Sequence, residues 1–164
     1  MTVPRKHKLV FGLYPNSRGF AYVLFEGPLA PVDWGVVEIR GVECNRRCLS
    51  RIAVLLNRHE PDILVLQDSS HTGTRRARRI RDLNEAIAVL AETQGVPTTV
   101  YSREQVRRCF GSGLVTKQAI AEAIAKRIPM FERFIPPPRK LWTSEHPRMG
   151  LFDAASLALT FYFQ

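Results

Sequence analysis

Short apolar runs separated by turn-forming residues dominate the beginning of the chain. Three such runs, at 8–14, 20–25 and 33–39, follow one another at close spacing, and this pattern predicts three strands of an antiparallel meander. The run at 63–66 is too short and too β-branched to favour a buried helix, and the run at 97–101 follows a helix-ending glycine. Both are therefore predicted to be strands.

Apolar positions at helical spacing occupy most of the remaining chain. The segments predicted to be helices are 45–58, a long stretch ending near Gln94, 102–110, 116–128 and 151–163. The order of elements predicts an α/β fold, in which a mixed five-stranded sheet of three antiparallel and then parallel strands is flanked by helices. A length of 164 residues suits a single domain spanning 1–164. The long connection that begins at Pro136 is a candidate functional loop.

An excess of basic residues is the main compositional signal. Lysine and arginine number 24 against 15 acidic residues, which gives a net charge of +9. Such a charge favours a polyanionic partner, above all nucleic acid, because each phosphate contacted releases counterions. No apolar stretch approaches the roughly 18 residues of a membrane span, and no secretory signal is recognisable. We therefore expect a cytoplasmic protein without a membrane partner.

Five arginines within 75–81 form the densest basic cluster. Helical spacing would turn Arg75, Arg78 and Arg81 to solvent together. Like charges at this density oppose folding, so phosphate binding is one interpretation, and a solvated helix start paired with nearby acids is the other. The residues predicted to contact nucleic acid are Arg75, Arg76, Arg78, Arg79, Arg81, Arg107, Arg108 and Lys117.

Four segments, in order and at compatible spacing, resemble the RuvC-type Holliday junction resolvases of the ribonuclease H-like superfamily. They are a first-strand motif at 12–18, a fourth strand at 61–68, a glycine loop and lysine at 111–117, and a last helix at 152–159. The resemblance implies a ribonuclease H-like fold and a role in DNA recombination or repair. It also implies an Mg²⁺-dependent endonuclease that works on branched DNA as a homodimer.

The acidic positions of that family are mostly replaced in this chain. Its first-strand Asp corresponds to Tyr14, its fourth-strand Glu to Gln67, and a further acid or histidine to Gly150. Only Asp153, in the last helix, matches as a metal-binding or catalytic carboxylate. Hydrolysis by two metal ions needs several acidic oxygens around ions roughly 4 Å apart. The resemblance therefore implies a degenerate site, with Mg²⁺ as a cofactor if the protein is active and no cofactor otherwise.

Three further residues are candidates for a rearranged catalytic set with Asp153. Asp68 follows Gln67 directly and could take its place, although an acid that begins a turn is the alternative. Glu145 and His146 lie in the long connection, which could fold over the site, and a solvated loop pair is the alternative. Asp153 itself could be a structural acid favoured by the helix dipole.

The aromatic residues also have two interpretations. Tyr14 could fill the vacated metal pocket, with its hydroxyl bonded to Gln67 or Asp153, or its ring could stack on a base or ligand. Five aromatic residues near the carboxyl end are predicted to pack the last helix onto the domain, with a homodimer interface as the alternative. They are Trp142, Phe152, Phe161, Tyr162 and Phe163.

Three functional hypotheses follow. The first is a nucleic-acid-binding protein that recognises branched or structured DNA and has lost or weakened catalysis. The second is an active, Mg²⁺-dependent, structure-selective endonuclease that uses Asp68, Asp153 and Glu145 or His146. The third is a scaffold or regulatory subunit that retains the fold for protein contacts.

Overall fold

A computed structural model of the chain describes residues 4–69, 75–111, 116–140 and 142–164, and of residues 75–77 it describes the backbone alone. The strands are β1 (Val10–Asn16), β2 (Gly19–Phe25), β3 (Pro31–Glu38), β4 (Ile63–Gln67) and β5 (Thr98–Tyr101). The helices are α1 (Cys44–His59), α2 (Arg75–Thr93), α3 (Arg103–Phe110), α4 (Lys117–Arg127) and α5 (Met149–Phe163), with a 3₁₀ helix at Pro129–Phe134.

The five strands form one mixed sheet in the order β3-β2-β1-β4-β5. β1 and β2 are antiparallel, as are β2 and β3. β4 then pairs in parallel with β1 on one side and with β5 on the other. This arrangement confirms the predicted fold class.

Each face of the sheet is covered by helices, because alternate residues of the central strands point to opposite faces and both sets are apolar. Val10, on one face of β1, packs with α3, α4 and α5, whereas Phe11, on the other, packs with α1 and α2. α5 lies against the centre of the sheet, and its residues from Met149 to Thr160 are all buried. The first turn of α5 is thereby held at one edge of the sheet.

The structure extends the predicted first strand and adds a 3₁₀ helix. β1 continues through Pro15 to Asn16, two residues beyond the apolar run at 8–14 that predicted it. It pairs with β4 only from Val10 to Gly12, so Pro15, which has no N–H to donate, lies beyond that ladder. The 3₁₀ helix was not predicted, because six residues at three per turn are too few to show a helical periodicity in the sequence.

The predicted role of Trp142 in packing the last helix is wrong. Its side chain is 80% exposed, since it lies in the connection before α5 and not on the helix. The other four aromatics predicted to pack α5 do contact the core beneath it. No helix in the described ranges is both long and apolar enough to cross a membrane.

Gly12 permits the close approach of α5 to β1. A Cβ at this position would lie 2.3 Å from the backbone oxygen of Ala154 and 2.9 Å from the Cβ of Ala158. We expect Gly12→Ala to lower the unfolding free energy by about 1 to 3 kcal/mol, because the clash involves backbone that cannot move alone. Urea unfolding checks this. Wild-type stability in Gly12→Ala would contradict the packing described.

Candidate functional site

The candidate site lies where the carboxyl ends of β1 and β4 meet. The parallel register places Gly12 opposite Val65, and carried two residues further it brings Tyr14 beside Gln67. Both side chains face α5, because they alternate in step with residues that pack on that helix. Ligand sites in sheets of this kind commonly form outside the carboxyl ends of parallel strands.

The first turns of α5 bring Asp153 and Gly150 to the same edge. Asp153 is 8% exposed and lines a small cavity together with Gln67. A Cβ on Gly150 would lie 3.9 Å from the Tyr14 ring and 3.1 Å from the Asn16 amide nitrogen. Tyr14, Gln67, Gly150 and Asp153 therefore surround one small region.

The side chain of Lys117 occupies the centre of this region. Thr116 caps α4 by accepting a hydrogen bond from the backbone of Ala119, which makes Lys117 the first residue of the helix. The Lys117 ammonium donates to the Tyr14 hydroxyl at 3.1 Å and to Asp153 Oδ2 at 3.1 Å. It also lies 3.0 Å from Glu145 Oε1. One ammonium thus connects α4 to β1, to α5 and to the connection that precedes α5.

Burial and charge shift the titration of all three groups. Burial raises the pKa of Asp153 to about 6, although the Lys117 ammonium opposes this rise. Burial lowers the pKa of Lys117, but the carboxylate of Asp153 and the other acidic neighbours raise it by more, so its net shift is upward. Burial, followed by the charge of Asp153, raises the pKa of Tyr14. Near neutral pH the site holds a charged lysine, an ionised Asp153 and a neutral phenol.

The residues present do not fit a pair of Mg²⁺ ions. The space between the Asp153 and Glu145 carboxylates is occupied by the Lys117 ammonium, at 3.1 Å and 3.0 Å respectively. The adjoining cavity of about 20 Å³ has room for about one water molecule, whereas Mg²⁺ usually retains several. Within the described ranges, no group of three or more His, Cys, Asp or Glu residues could hold a metal ion.

The other candidate catalytic residues lie around the site in different ways. Glu145 reaches Lys117 from the long connection, so that loop does fold over the site. His146 instead accepts a hydrogen bond from the backbone of Arg148 at 3.1 Å, and burial with two nearby arginines lowers its pKa. Asp68 follows the end of β4 and lines a cavity of about 470 Å³ with Tyr14 and Glu145.

The hydroxyl of Tyr14 and the arginines of α2 have specific positions in the structure. The Tyr14 hydroxyl accepts from the Lys117 ammonium, a partner other than Gln67 and Asp153, the two that were predicted. Arg79 donates to Asn45 Oδ1 at 2.9 Å and to the backbone of Asn16 at 3.2 Å, which ties α2 to α1 and β1. Arg78 is exposed and Arg81 half-buried. The side chains of Arg75 and Arg76 lie outside the described residues, as do positions 112–115 of the predicted glycine loop.

A groove of about 1150 Å³ opens beside Lys117 and is strongly basic. Six cationic side chains line it, whereas Glu145 is the one acidic residue among the described residues of its lining. The six are Arg18, Arg103, Arg107, Lys117, Arg139 and Lys140. Arg108, by contrast, pairs with Glu104 at 2.9 Å on the exposed surface of α3 and does not line the groove. The sequence analysis did not predict that Arg18, Arg139 and Lys140 line a groove. The adjacent cations Arg139 and Lys140, directly after three prolines, could have indicated a basic loop.

Arg107 points its guanidinium between the groove and the small cavity. It lines both, together with Arg103 and Lys117. Its buried Nε has no hydrogen-bond partner among the described residues. A buried donor without an acceptor is costly, and an anionic oxygen would satisfy it.

The strand order and the helices on both faces of the sheet define a fold class, the RuvC-type, ribonuclease H-like fold. The chain is similar to Thermus thermophilus RuvC in complex with a Holliday junction substrate, at 23% identity and a TM-score of 0.67 over 96% of this chain and 94% of that one. A second structure of Thermus thermophilus RuvC matches at 22% identity and a TM-score of 0.66, over 94% and 93% of the two chains. No protein-family model and no curated protein sequence matches. The chain therefore has the RuvC-type fold that the sequence motifs predicted.

Proposed function

We infer that the chain binds branched or structured DNA through the groove beside Lys117, and that binding does not depend on a divalent metal ion. The observation that carries this proposal is the Lys117 ammonium, held by Tyr14, Asp153 and Glu145 between the groove and the sheet. The ammonium offsets the charge of the two carboxylates beside it, at a point where a nuclease of this fold would need bound Mg²⁺.

The charge distribution supports a phosphate-bearing ligand. Arg103 and Arg107 project from one face of α3 toward Lys117, and the unpartnered Nε of Arg107 offers a donor to a phosphate oxygen. The solved complex of a RuvC structure with a Holliday junction substrate supports branched DNA as the first substrate to test. A role in recombination or repair, a cytoplasmic location and a homodimeric state belong to the same proposal.

A labelled four-way DNA junction tests the proposal by fluorescence anisotropy. We expect equal affinity in EDTA and in Mg²⁺ at matched ionic strength, and a steep loss of affinity between about 50 and 200 mM salt. Arg107→Gln should reduce the slope of log K against log salt by about one, because one phosphate contact is lost. Arg51→Gln, an exposed arginine of α1 on the opposite face of the sheet, controls for the loss of one positive charge.

Two results would contradict this proposal. Binding that is absent or insensitive to salt would leave a scaffold role as the better account. Junction cleavage that requires Mg²⁺ and is abolished by Asp153→Asn would favour the active endonuclease, since that variant keeps the shape of the carboxylate and removes its charge.

A further inference from the structure

The connection from Pro136 to Arg148 presents an aromatic side chain that the proposed function does not use. Trp142 lines the basic groove and is 80% exposed. The connection is fixed at both ends of this region, because Gln118 donates to the backbone of Pro136 and Glu145 pairs with Lys117. Trp142 is therefore held beside the groove by the fold.

A closed turn supports the tryptophan. The backbone N–H of Thr143 donates to the carbonyl of Lys140 at 3.1 Å, and the Thr143 hydroxyl donates to the same carbonyl at 2.9 Å. Arg139 donates from Nε to the backbone of Thr143 at 2.8 Å. Proline residues 136–138 restrict the backbone before the turn. A ring on a restricted turn loses little conformational entropy when a ligand stacks on it.

The surroundings of the ring favour an unpaired base over an apolar ligand. Lys140 Nζ lies 5.8 Å from the centre of the Trp142 ring, and Arg139 is a further cation of the same turn. Single exposed apolar residues are ordinary on protein surfaces. An exposed tryptophan inside a groove lined by six cations is different, because aromatic faces and basic side chains together are what single-stranded nucleic acid binds.

The groove also has the size for an extended ligand. Its volume of about 1150 Å³ exceeds the range of about 300 to 1,000 Å³ of pockets that enclose one small molecule. Trp142 and Lys140 lie on its loop side, and Arg103 and Arg107 on its helix side. A strand in the groove can thus place phosphates on the arginines while one base reaches the tryptophan.

We propose that Trp142 is a stacking platform for an unpaired nucleotide of the DNA bound in the basic groove. This inference rests on the proposed function and specifies which part of a branched or structured DNA the loop would recognise. The base stacks on the exposed face of the ring, and the neighbouring phosphates lie among the cations of the groove.

Oligonucleotides with and without bases test the stacking role. Two single strands of roughly twelve nucleotides, an oligothymidylate and one with abasic sites at its centre, carry the same phosphates. We expect Trp142→Ala to bind the oligothymidylate about 5- to 150-fold more weakly than wild type and to bind the abasic strand with unchanged affinity. Trp142→Phe should retain part of the preference, because it keeps an aromatic face.

Fluorescence supplies a second measurement on the folded protein. The chain has two tryptophans, and Trp34 packs edge-on against Phe131 at 5.2 Å between ring centres. In a Trp34→Phe variant, emission therefore reports Trp142, and we expect the oligothymidylate to quench it more than the abasic strand does. Thermal unfolding of each variant identifies any loss of the fold.

The outcomes separate this inference from the function on which it rests. If both strands bind and Trp142→Ala preserves the wild-type ratio of their affinities, the groove binds DNA but the stacking role is wrong. If neither strand nor any junction binds, both proposals fail together. If Trp142→Ala instead abolishes self-association measured by sedimentation without DNA, the ring contacts a second copy of the chain and the stacking role is overturned.

Discussion

Lys117→Met is expected to lower the unfolding free energy by about 3 to 5 kcal/mol near neutral pH, because it leaves the buried Asp153 carboxylate without its cation. The ammonium lies 3.1 Å from Asp153 Oδ2, and the side chains are 20% and 9% exposed. Methionine has a similar length but no charge, so the loss is mainly electrostatic. Urea unfolding measures the change.

Two further variants make this prediction specific. Lys126→Met changes an exposed lysine at the other end of α4 and controls for the substitution itself. Lys117→Met combined with Asp153→Asn removes both charges, and most of the lost stability should return, because the uncompensated buried carboxylate is gone. A cost for Lys117→Met no larger than for Lys126→Met would show that the ion pair contributes little.

The order of strands and helices could be predicted because both faces of the sheet are covered. The apolar runs around Phe11, Val23 and Val65 predict strands, and the helices with apolar residues at regular spacing pack on these strands. The alternation of two buried faces leaves few other arrangements for these runs. The predicted first strand stops before Pro15, because the tolerance of a proline in β1 depends on where β4 stops pairing, which local sequence does not encode.

Comparison with a known motif could predict which residues lie around the site, but not which of their side chains contact one another. The matches at Tyr14, Gln67 and Asp153 pointed to one region, and these residues do lie together. The ammonium that joins them comes from Lys117, which the sequence suggested as a phosphate contact and as part of the motif at 111–117, and not as the partner of Asp153. Its approach to Asp153 depends on how α4 packs on α5, a tertiary contact across 36 positions of the chain.

The contacts of the long connection that begins at Pro136 could not be predicted from local sequence either. Its length alone marked it as functional, and Glu145 does return to the site. Nothing in the local pattern distinguished Trp142 from the aromatics of α5, because burial is decided by the turn at Lys140 and Thr143. Arg79 differs from its prediction in the opposite direction. It was predicted to contact nucleic acid, but its guanidinium donates hydrogen bonds within the fold.

The buried carboxyl of Asp153 should make stability fall as pH rises from about 4 to about 6. Its pKa is about 6 in the folded protein, against an ordinary value of 3.8, so the folded state retains a proton that the unfolded state has released. Because the folded state binds more protons in this window, its stability decreases with rising pH. A difference of about two pKa units corresponds to about 3 kcal/mol. The upward shift of the Lys117 pKa acts at far higher pH and does not overlap this window.

The comparison of wild type with Asp153→Asn isolates that contribution. The asparagine does not titrate, so the variant should gain stability relative to wild type by about 3 kcal/mol between about pH 4 and pH 7, as measured by urea unfolding at a series of pH values. Glu92→Gln, which removes an exposed carboxyl of α2, controls for the loss of one titrating group. A difference that stays constant across this range would contradict the raised pKa, and a difference of the opposite sign would mean that Lys117 more than offsets the burial of Asp153. With the expected sign, ionisation of Asp153 lowers stability near neutral pH, while its pairing with Lys117 limits that cost and holds the ammonium in place.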